Sequence, residues 1–176
     1  MSHPAILVTG LPASGKTTLA RAVSQALGMP LLSKDVVKES LFGTLSGLDR
    51  AEVSHAANEV LWALLSDCPG GAVVEIWLDP RRDVGIAADV LARAGSRVAV
   101  EIMCICPGDI AAQRYAARAR PPPHLPPDEA TLQRIRDSAD LMQPLGVGPV
   151  LPVDTTGPSD VDRITAWITA RADHLA

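Results

Sequence analysis

The residues with the clearest chemistry lie near the N-terminus, where residues 10–17 read Gly-Leu-Pro-Ala-Ser-Gly-Lys-Thr. Two glycines at this spacing let backbone N–H groups surround phosphate oxygens at the start of a helix. Lys16 would reach the β- and γ-phosphates of a nucleotide, and the Thr17 hydroxyl would hold a magnesium ion. The motif therefore predicts a site for a nucleoside triphosphate with Mg²⁺. Its predicted ligands are Gly10, Pro12, Ala13, Ser14, Gly15, Lys16, Thr17 and Thr18.

A second group of chemically useful residues, Ser33-Lys34-Asp35-Val36-Val37-Lys38, follows the second predicted strand. At a helix N-terminus the carboxylate form of Asp35 is favoured. Such a carboxylate can orient an attacking hydroxyl and take its proton late in phosphoryl transfer. The alternative for Asp35 is a plain helix cap. Lys38 lies on the same helix face, where it either contacts the same acceptor or is simply solvated.

Two acidic residues lie at or after the carboxyl end of the third predicted strand, where α/β sheets place their ligands. Glu75 and Asp79 are the two candidates for a role there. Because Asp79 precedes Pro80, it is better explained as the cap of a helix, and Glu75 is favoured. A further carboxylate, Glu101, lies inside the fourth predicted strand, and we expect it at a sheet edge, where solvent satisfies it.

Arginines gather before a Pro-rich stretch late in the chain. Arg114, Arg118 and Arg120 precede or enter residues 120–127, which cannot form regular structure. We call residues 114–127 the lid segment. Its arginines could neutralise charge on a transferred phosphoryl group, or they could be solvated helix residues. We interpret His124 as a loop residue.

The elements needed to position these groups follow from alternating strand-like and helical patterns, which favour a parallel sheet with helices on both faces. Strands are predicted at 4–9, 31–33, 72–78, 97–106 and 150–153. Helices are predicted at 16–28, from about 35, from Asp49 to about 66, from Asp79-Pro80 to about 94, from 107 to 118, and at 128–141 and 158–174. The length of 176 residues favours one domain, residues 1–176.

Composition narrows the class of partner. The net charge of −4 disfavours a long polyanion such as nucleic acid. No apolar run approaches membrane-spanning length, and the N-terminus lacks the features of a signal peptide. We therefore expect a cytoplasmic protein without a membrane partner.

Taken together, the P-loop (residues 10–17), the Ser-Lys-Asp-x-x-Lys segment and Arg114-x-x-x-Arg118 resemble the small P-loop kinases. The chain is most similar to the polynucleotide kinase, chloramphenicol phosphotransferase and zeta-toxin group of AAA-type, ATP-binding kinase-like proteins. The resemblance implies the three-layer α/β fold of P-loop NTPases, with a parallel five-stranded sheet of order 2-3-1-4-5. It also implies a role in acceptor binding for Asp35, where Lys38 replaces the family's companion arginine.

The same resemblance assigns further residues. It places Arg118 on the ATP phosphates, Glu75 near magnesium or the acceptor, and the loop containing Thr155 beside the adenine base. The alternative is that the loop containing Thr155 is an ordinary turn before the last helix, without a contact to the base. The resemblance thus implies nucleotide contacts for Arg114, Arg118 and Thr155, and acceptor contacts for Asp35, Lys38 and Glu75.

The resulting hypothesis is an ATP-dependent phosphotransferase that moves the γ-phosphoryl group of Mg-ATP to a hydroxyl of a small molecule, such as an antibiotic, a sugar or a nucleoside. Lys16, Asp35 and Arg118 are its predicted catalytic residues. The alternatives are a 5′-hydroxyl polynucleotide kinase and a slow ATPase that acts as a nucleotide-gated regulatory module. The predicted acceptor wall lies within residues 40–66, although core packing is an alternative for two of its residues, Phe42 and Trp62. Its candidates are Phe42, His55, Asn58, Glu59 and Trp62.

Overall fold

A five-stranded sheet forms the centre of the molecule. The computed structural model describes residues 3–79, 83, 85–93, 95–119 and 124–172. All recorded strand pairs are parallel, and the order is β2-β3-β1-β4-β5, which confirms the predicted fold class. The strands are β1 His3–Gly10, β2 Leu31–Ser33, β3 Ala72–Glu75, β4 Ser96–Ile105 and β5 Val150–Asp154.

Helices cover both faces of this sheet. Those described are α1 Lys16–Leu27, α2 Lys34–Thr44, α3 Arg50–Ser66, α4 Ile86–Arg93, α5 Gly108–Ala117, α6 Glu129–Ala139 and α7 Val161–Ala172. On one face α1 and α7 pack against the strands, and on the other α3 and α4 do so. None of the helices in these ranges has the length and apolar composition needed to cross a bilayer.

The central strand β1 is buried on both sides, because it runs between β3 and β4 and under helices on each face. Ala5 and Leu7 pack toward α3 and α4, whereas Ile6 and Val8 pack toward α1 and α7. A continuous apolar run suits a strand of this kind. Its burial fixes where β1 ends, and hence where the P-loop begins, at the middle of the carboxyl edge of the sheet.

Helix α3 begins where the sequence predicts. The Asp49 carboxylate accepts hydrogen bonds from the N–H groups of Ala51 and Glu52, and the Glu52 carboxylate accepts one from the Asp49 N–H. This reciprocal capping box satisfies N–H groups that lack partners within the helix. It fixes the first turn of α3 at the carboxyl edge of the sheet.

The region after β3 differs from the prediction. Strand β3 ends at Glu75, earlier than the predicted 72–78, and α4 begins only at Ile86. The Asp79 C=O accepts a hydrogen bond from the Asp83 N–H at 2.8 Å, and the Asp79 N–H donates to the Asp83 carboxylate at 2.9 Å. The helix start predicted at Asp79-Pro80 falls on residues 80–82, which lie outside the described residues.

The expectation for Glu101 was wrong. It lies on β4, which has β1 on one side and β5 on the other, and its side chain is fully buried rather than at an edge. Its carboxylate accepts hydrogen bonds from the Thr9 hydroxyl and the Leu145 N–H, both at 2.8 Å. Burial raises the pKa of Glu101, although these two hydrogen bonds oppose the shift. The buried carboxyl joins β1, β4 and the segment before β5.

The turn before β3 depends on a glycine. Gly71 has φ +81°, and a Cβ built there would lie 2.1 Å from the Pro4 carbonyl oxygen. Gly28, which ends α1, also has a left-handed φ, +63°, but a Cβ there would meet nothing within 4 Å. A substitution at Gly28 therefore measures backbone strain alone, whereas a substitution at Gly71 measures backbone strain together with steric overlap.

We expect Gly28→Ala to lower the free energy of unfolding by about 1–2 kcal/mol. Gly71→Ala should lower it by about 2 kcal/mol or more in addition to that loss. Both variants carry the left-handed penalty, but only Gly71→Ala forces a side chain against the backbone at the start of β1. Urea denaturation of the two proteins measures the difference. Equal losses would contradict the assigned contact.

For Glu101→Gln we expect a pH-dependent gain over the parent protein. Because the folded-state pKa of Glu101 is raised above its ordinary 4.5, its contribution to stability is complete below pH 4.5 and is lost as pH rises through the folded-state pKa. Glutamine does not titrate, so the Glu101→Gln variant does not lose stability as pH rises. Above pH 4.5, its free energy of unfolding should therefore increase relative to that of the parent, by at most about 1.4 kcal/mol per pH unit. Urea denaturation across a pH series tests this, and a pH-independent difference would refute it.

Candidate functional site

A cleft of about 1000 Å³ opens at the carboxyl edge of the sheet. The P-loop forms one wall, and the first turns of α2 and α3 also line it. Of the predicted nucleotide ligands, those whose side chains or backbone line the cleft are Pro12, Ala13, Gly15, Lys16, Thr17, Thr18, Arg114, Arg118 and Thr155. Gly10 and Ser14 do not line it.

The P-loop connects β1 to α1 by a tight reversal. Ala13 has φ +61° and Gly15 has φ +100°, and Gly15 is the N-cap of α1. Successive residues in such conformations turn backbone N–H groups toward one point, which favours an anion. Lys16 is buried, and its Nζ donates to the Leu11 carbonyl at 2.7 Å, so the ammonium folds back over the loop.

Gly10 and Ser14 support the loop from behind. A Cβ on Gly10, whose φ is +139°, would lie 2.7 Å from the Cys104 carbonyl oxygen and 2.9 Å from Ser14 Oγ. Ser14 is fully buried, and its hydroxyl has no hydrogen-bond partner in the structure. The side chain of Ser14 and the missing side chain of Gly10 therefore allow the loop to pack closely on β4.

A short hydrogen-bond chain joins the P-loop to the strands beside it. The Thr17 hydroxyl donates to Glu75 Oε1 at 3.1 Å, and the Ser33 hydroxyl donates to Glu75 Oε2 at 2.5 Å. Glu75 is buried at the end of β3, and Ser33 ends β2. Glu75 thus fixes the start of α1 relative to the start of α2. Asp79 is also buried and lines the cleft, but the recorded contact with Thr17 is made by Glu75.

These oxygen groups are suited to magnesium. Mg²⁺ takes few protein ligands and completes its octahedron with phosphates and water. Within the described ranges, no group of three or more His, Cys, Asp or Glu side chains could hold a metal without such partners. The Thr17 hydroxyl and the adjacent Glu75 carboxylate fit a magnesium ion that is shared with a nucleotide.

The predicted acceptor residues lie in the same cleft. Asp35 and Lys38, on the first turns of α2, line it together with Lys34. The structure therefore brings the predicted acceptor-orienting carboxylate and the P-loop into one cavity.

The predicted acceptor wall is wrong in its residues. Trp62 is buried in the core against the sheet, and Phe42, His55, Asn58 and Glu59 do not line the cleft either. The lining residues of α3 are Arg50, Ala51 and Ser54, from its first turns, and Trp77 after β3 adds an aromatic side chain. Residues 50, 51 and 54 fall within the predicted range 40–66, but they are at the N-terminal end of α3. Farther along the helix Trp62 packs on the sheet, whereas His55 and Glu59 are exposed.

Arg114 stabilises the loop that follows β5 and packs against the P-loop. Its guanidinium donates to the carbonyls of Thr155 and Thr156 at 2.9 and 2.7 Å, and so connects α5 to the loop after β5. Thr155 is buried beside Gly15, which brings that loop against the P-loop. Hydrogen bonds from Thr156 hold the pKa of Asp154 below its usual range. Arg118, at the end of α5, is exposed and lines the cleft.

The lid segment contacts α2 through His124. Its Nε2 lies 2.8 Å from Glu39 Oε1 on α2, and its side chain is only 7% exposed. The Tyr115 hydroxyl also donates to the Leu125 carbonyl at 2.9 Å. Residues 120–123, including Arg120, lie outside the described residues. His124 is a loop residue, as interpreted, but sequence reasoning missed its contact with α2.

Several residues that line the cleft or support it from behind were not singled out from the sequence. Ser33, whose hydroxyl binds Glu75, follows an apolar pair on a short strand and directly precedes Lys34 and Asp35, so its position at a strand end was the available signal. Arg134 lines the cleft from α6, on the far side of the lid segment. Nothing local in its sequence distinguishes it from a solvated helix arginine.

A P-loop between β1 and α1, a 2-3-1-4-5 sheet and a carboxylate that meets the P-loop threonine define the P-loop nucleotide-binding fold of the small kinase type. The chain belongs to the AAA domain family, whose sequence profile matches residues 6–142. The resemblance inferred from the sequence is thereby confirmed. No curated protein sequence matches the chain.

Solved structures agree with this assignment. A protein of Chloroflexus aurantiacus, provisionally described as a kinase, is 32% identical, with 97% of this chain and 99% of that chain covered and a TM-score of 0.82. Shikimate kinase from Acinetobacter baumannii, in complex with shikimate, is 19% identical, with 95% and 91% covered and a TM-score of 0.60. The tunicamycin resistance protein of Deinococcus radiodurans is 15% identical, with 96% and 94% covered and a TM-score of 0.63. At identities of 15% and 19%, the similarity to the last two structures shows a shared fold.

We expect the two lid arginines to differ in their effect on stability. Arg114→Gln should lower the free energy of unfolding by about 1–3 kcal/mol, because two backbone carbonyls lose charge-assisted hydrogen bonds. Arg118→Gln, at an exposed position, should change it by less than about 0.5 kcal/mol. Urea denaturation without nucleotide measures both. Similar values for the two variants would contradict the bracing role of Arg114.

Proposed function

We propose that the protein is an ATP-dependent phosphotransferase that moves the γ-phosphoryl group of Mg-ATP to a hydroxyl of a small molecule. The observation that carries this proposal is the single cleft lined by both the P-loop and Asp35. A protein that only hydrolysed ATP would not need a second wall with its own carboxylate. The 32% identical relative is itself provisionally described as a kinase, which supports the same reaction class.

The nucleotide binds along the P-loop. Backbone N–H groups and the α1 N-terminus bind the β- and γ-phosphates, and Lys16 contributes its ammonium to the same oxygens. The loop of Thr155, fixed by Arg114, borders the base. Thr17 and Glu75 hold magnesium, which when bound neutralises charge on the phosphates.

Asp35 acts on the acceptor. Its carboxylate accepts a hydrogen bond from the acceptor hydroxyl and orients that oxygen toward the γ-phosphorus. As the new O–P bond forms and the bond from γ-phosphorus to the β–γ bridging oxygen breaks, the hydroxyl proton passes to Asp35. The products are ADP and a phosphate monoester, and the proton then leaves to solvent. Because the transition state is loose, orientation matters more than the basicity of Asp35.

The lid segment completes the site. Arg118 lies where a guanidinium can approach the transferred phosphoryl group, and Arg-to-phosphoryl contacts stabilise charge that develops there. The His124–Glu39 contact holds the lid segment against α2. Closure of this kind excludes water, which would otherwise accept the phosphoryl group.

Two substitutions test this function. Lys16→Ala should weaken binding of Mg-ATP by about tenfold or more, because it removes the ammonium that contacts the phosphates. Asp35→Asn should lower kcat of phosphoryl transfer by about 10²–10⁴-fold while changing ATP affinity little. Calorimetry with Mg-ATP measures binding, and labelled ATP with a panel of hydroxyl compounds measures transfer.

Glu59→Gln is the matched control, because this exposed carboxylate lies on α3 but does not line the cleft. Its turnover should equal that of the parent. If Mg-ATP does not bind to the parent protein, or if Asp35→Asn transfers phosphate at the parent rate, the proposed mechanism is wrong. ATP hydrolysis at one slow rate, whatever acceptor is added, would instead favour a regulatory module.

A further inference from the structure

The charge of the cleft is opposite to the charge of the chain. Among the described residues that line it, seven carry a positive side chain and three a negative one. The chain as a whole has a net charge of −4. The positive residues are Lys16, Lys34, Lys38, Arg50, Arg114, Arg118 and Arg134, and the negative residues are Asp35, Glu75 and Asp79.

The nucleotide accounts for only part of this excess. A triphosphate that carries one magnesium ion has a net charge of about −2, whereas the lining side chains sum to four positive charges. A cleft lined mainly by one sign of charge concentrates ligands of the opposite sign.

The excess is not confined to the nucleotide side. Lys34 and Lys38 are one turn apart on α2, beside Asp35, and Arg50 is the first residue of α3. Lys34 and Lys38 are half-buried, so their charges are partly withdrawn from water. An anion on the acceptor would lie among these groups while its hydroxyl faces Asp35.

We infer, on the basis of the proposed kinase function, that the acceptor is a small hydroxyl compound that carries its own anionic group, either a carboxylate or a phosphate. Arg50 offers a planar fork suited to both groups, and Lys34 and Lys38 act as point charges. Trp77 forms an apolar wall beside them. This restricts the substrate class to acidic or phosphorylated hydroxyl compounds and excludes uncharged sugars and nucleosides as preferred acceptors.

Matched pairs of probes test this inference. The carboxylate pair is D-gluconate and D-glucitol, and the phosphate pair is D-glucose 6-phosphate and D-glucose. Each is titrated by calorimetry into protein saturated with magnesium and a non-hydrolysable ATP analogue, so that no probe can occupy the P-loop. We expect at least one anion to bind about tenfold or more tightly than its uncharged counterpart. Which pair shows the preference identifies the anionic group.

Variants assign the preference to its residues. The double substitution Lys38→Gln and Arg50→Gln should remove most of the preference for the anion while leaving the affinity for the ATP analogue within about twofold. Arg93→Gln is the matched control, because Arg93 is an exposed arginine on α4 that does not line the cleft. Its preference should equal that of the parent.

Two results would overturn the inference: neither anion binds more tightly than its uncharged partner, or the preference survives in the double variant. An uncharged compound phosphorylated with the same kcat/KM by the parent and by Arg50→Gln would also overturn it, while leaving the kinase function intact. Failure of the ATP analogue to bind the parent protein would instead refute the proposed function itself.

Discussion

The arrangement of the cleft depends on one carboxylate, that of Glu75, which accepts hydrogen bonds from two hydroxyls on different elements. Thr17 comes from the start of α1 and Ser33 from the end of β2, directly before α2. Glu75 is buried, so breaking either bond would leave part of a charged group unsatisfied, which is costly inside a protein. This interaction therefore holds two walls of the cleft, the P-loop and the start of α2, in one relative position.

The two walls are completed by contacts that reach across the sheet edge. Arg114 fixes the loop after β5 against the P-loop, and Glu101 ties the segment before β5 to β1 and β4. His124 brings the lid segment onto α2. Each contact joins residues far apart in sequence, so the cleft is a product of tertiary packing around a local motif.

Features of the fold and the cleft could be predicted from the sequence where they depend on residues that are close together in the chain. The P-loop and the Asp49 capping box depend on residues that are neighbours in sequence, so the sequence predicts them correctly. The position of β1 follows from its own continuous apolar segment and is also predicted correctly. The strand order was also predicted, through the resemblance to P-loop kinases. Asp35 lies close after the end of β2 and lines the cleft, and its role toward an acceptor stays a prediction.

The errors concern positions that depend on distant partners. The identity of the acceptor wall depends on which end of α3 reaches the carboxyl edge, and helical periodicity carries no information about that. Glu101 was expected at an edge although the predicted strand order already places β4 inside the sheet, and its buried partners, Thr9 and the Leu145 N–H, are far away in sequence.

Helix α5 touches both halves of the cleft. Arg114 on this helix grips the loop after β5, and the chain that leaves its C-terminal end reaches α2 through His124. Displacement of His124 would break its contact with Glu39, and displacement of α5 would break the two hydrogen bonds from Arg114 to the loop after β5. A single helix therefore links that loop to the segment that leads to His124.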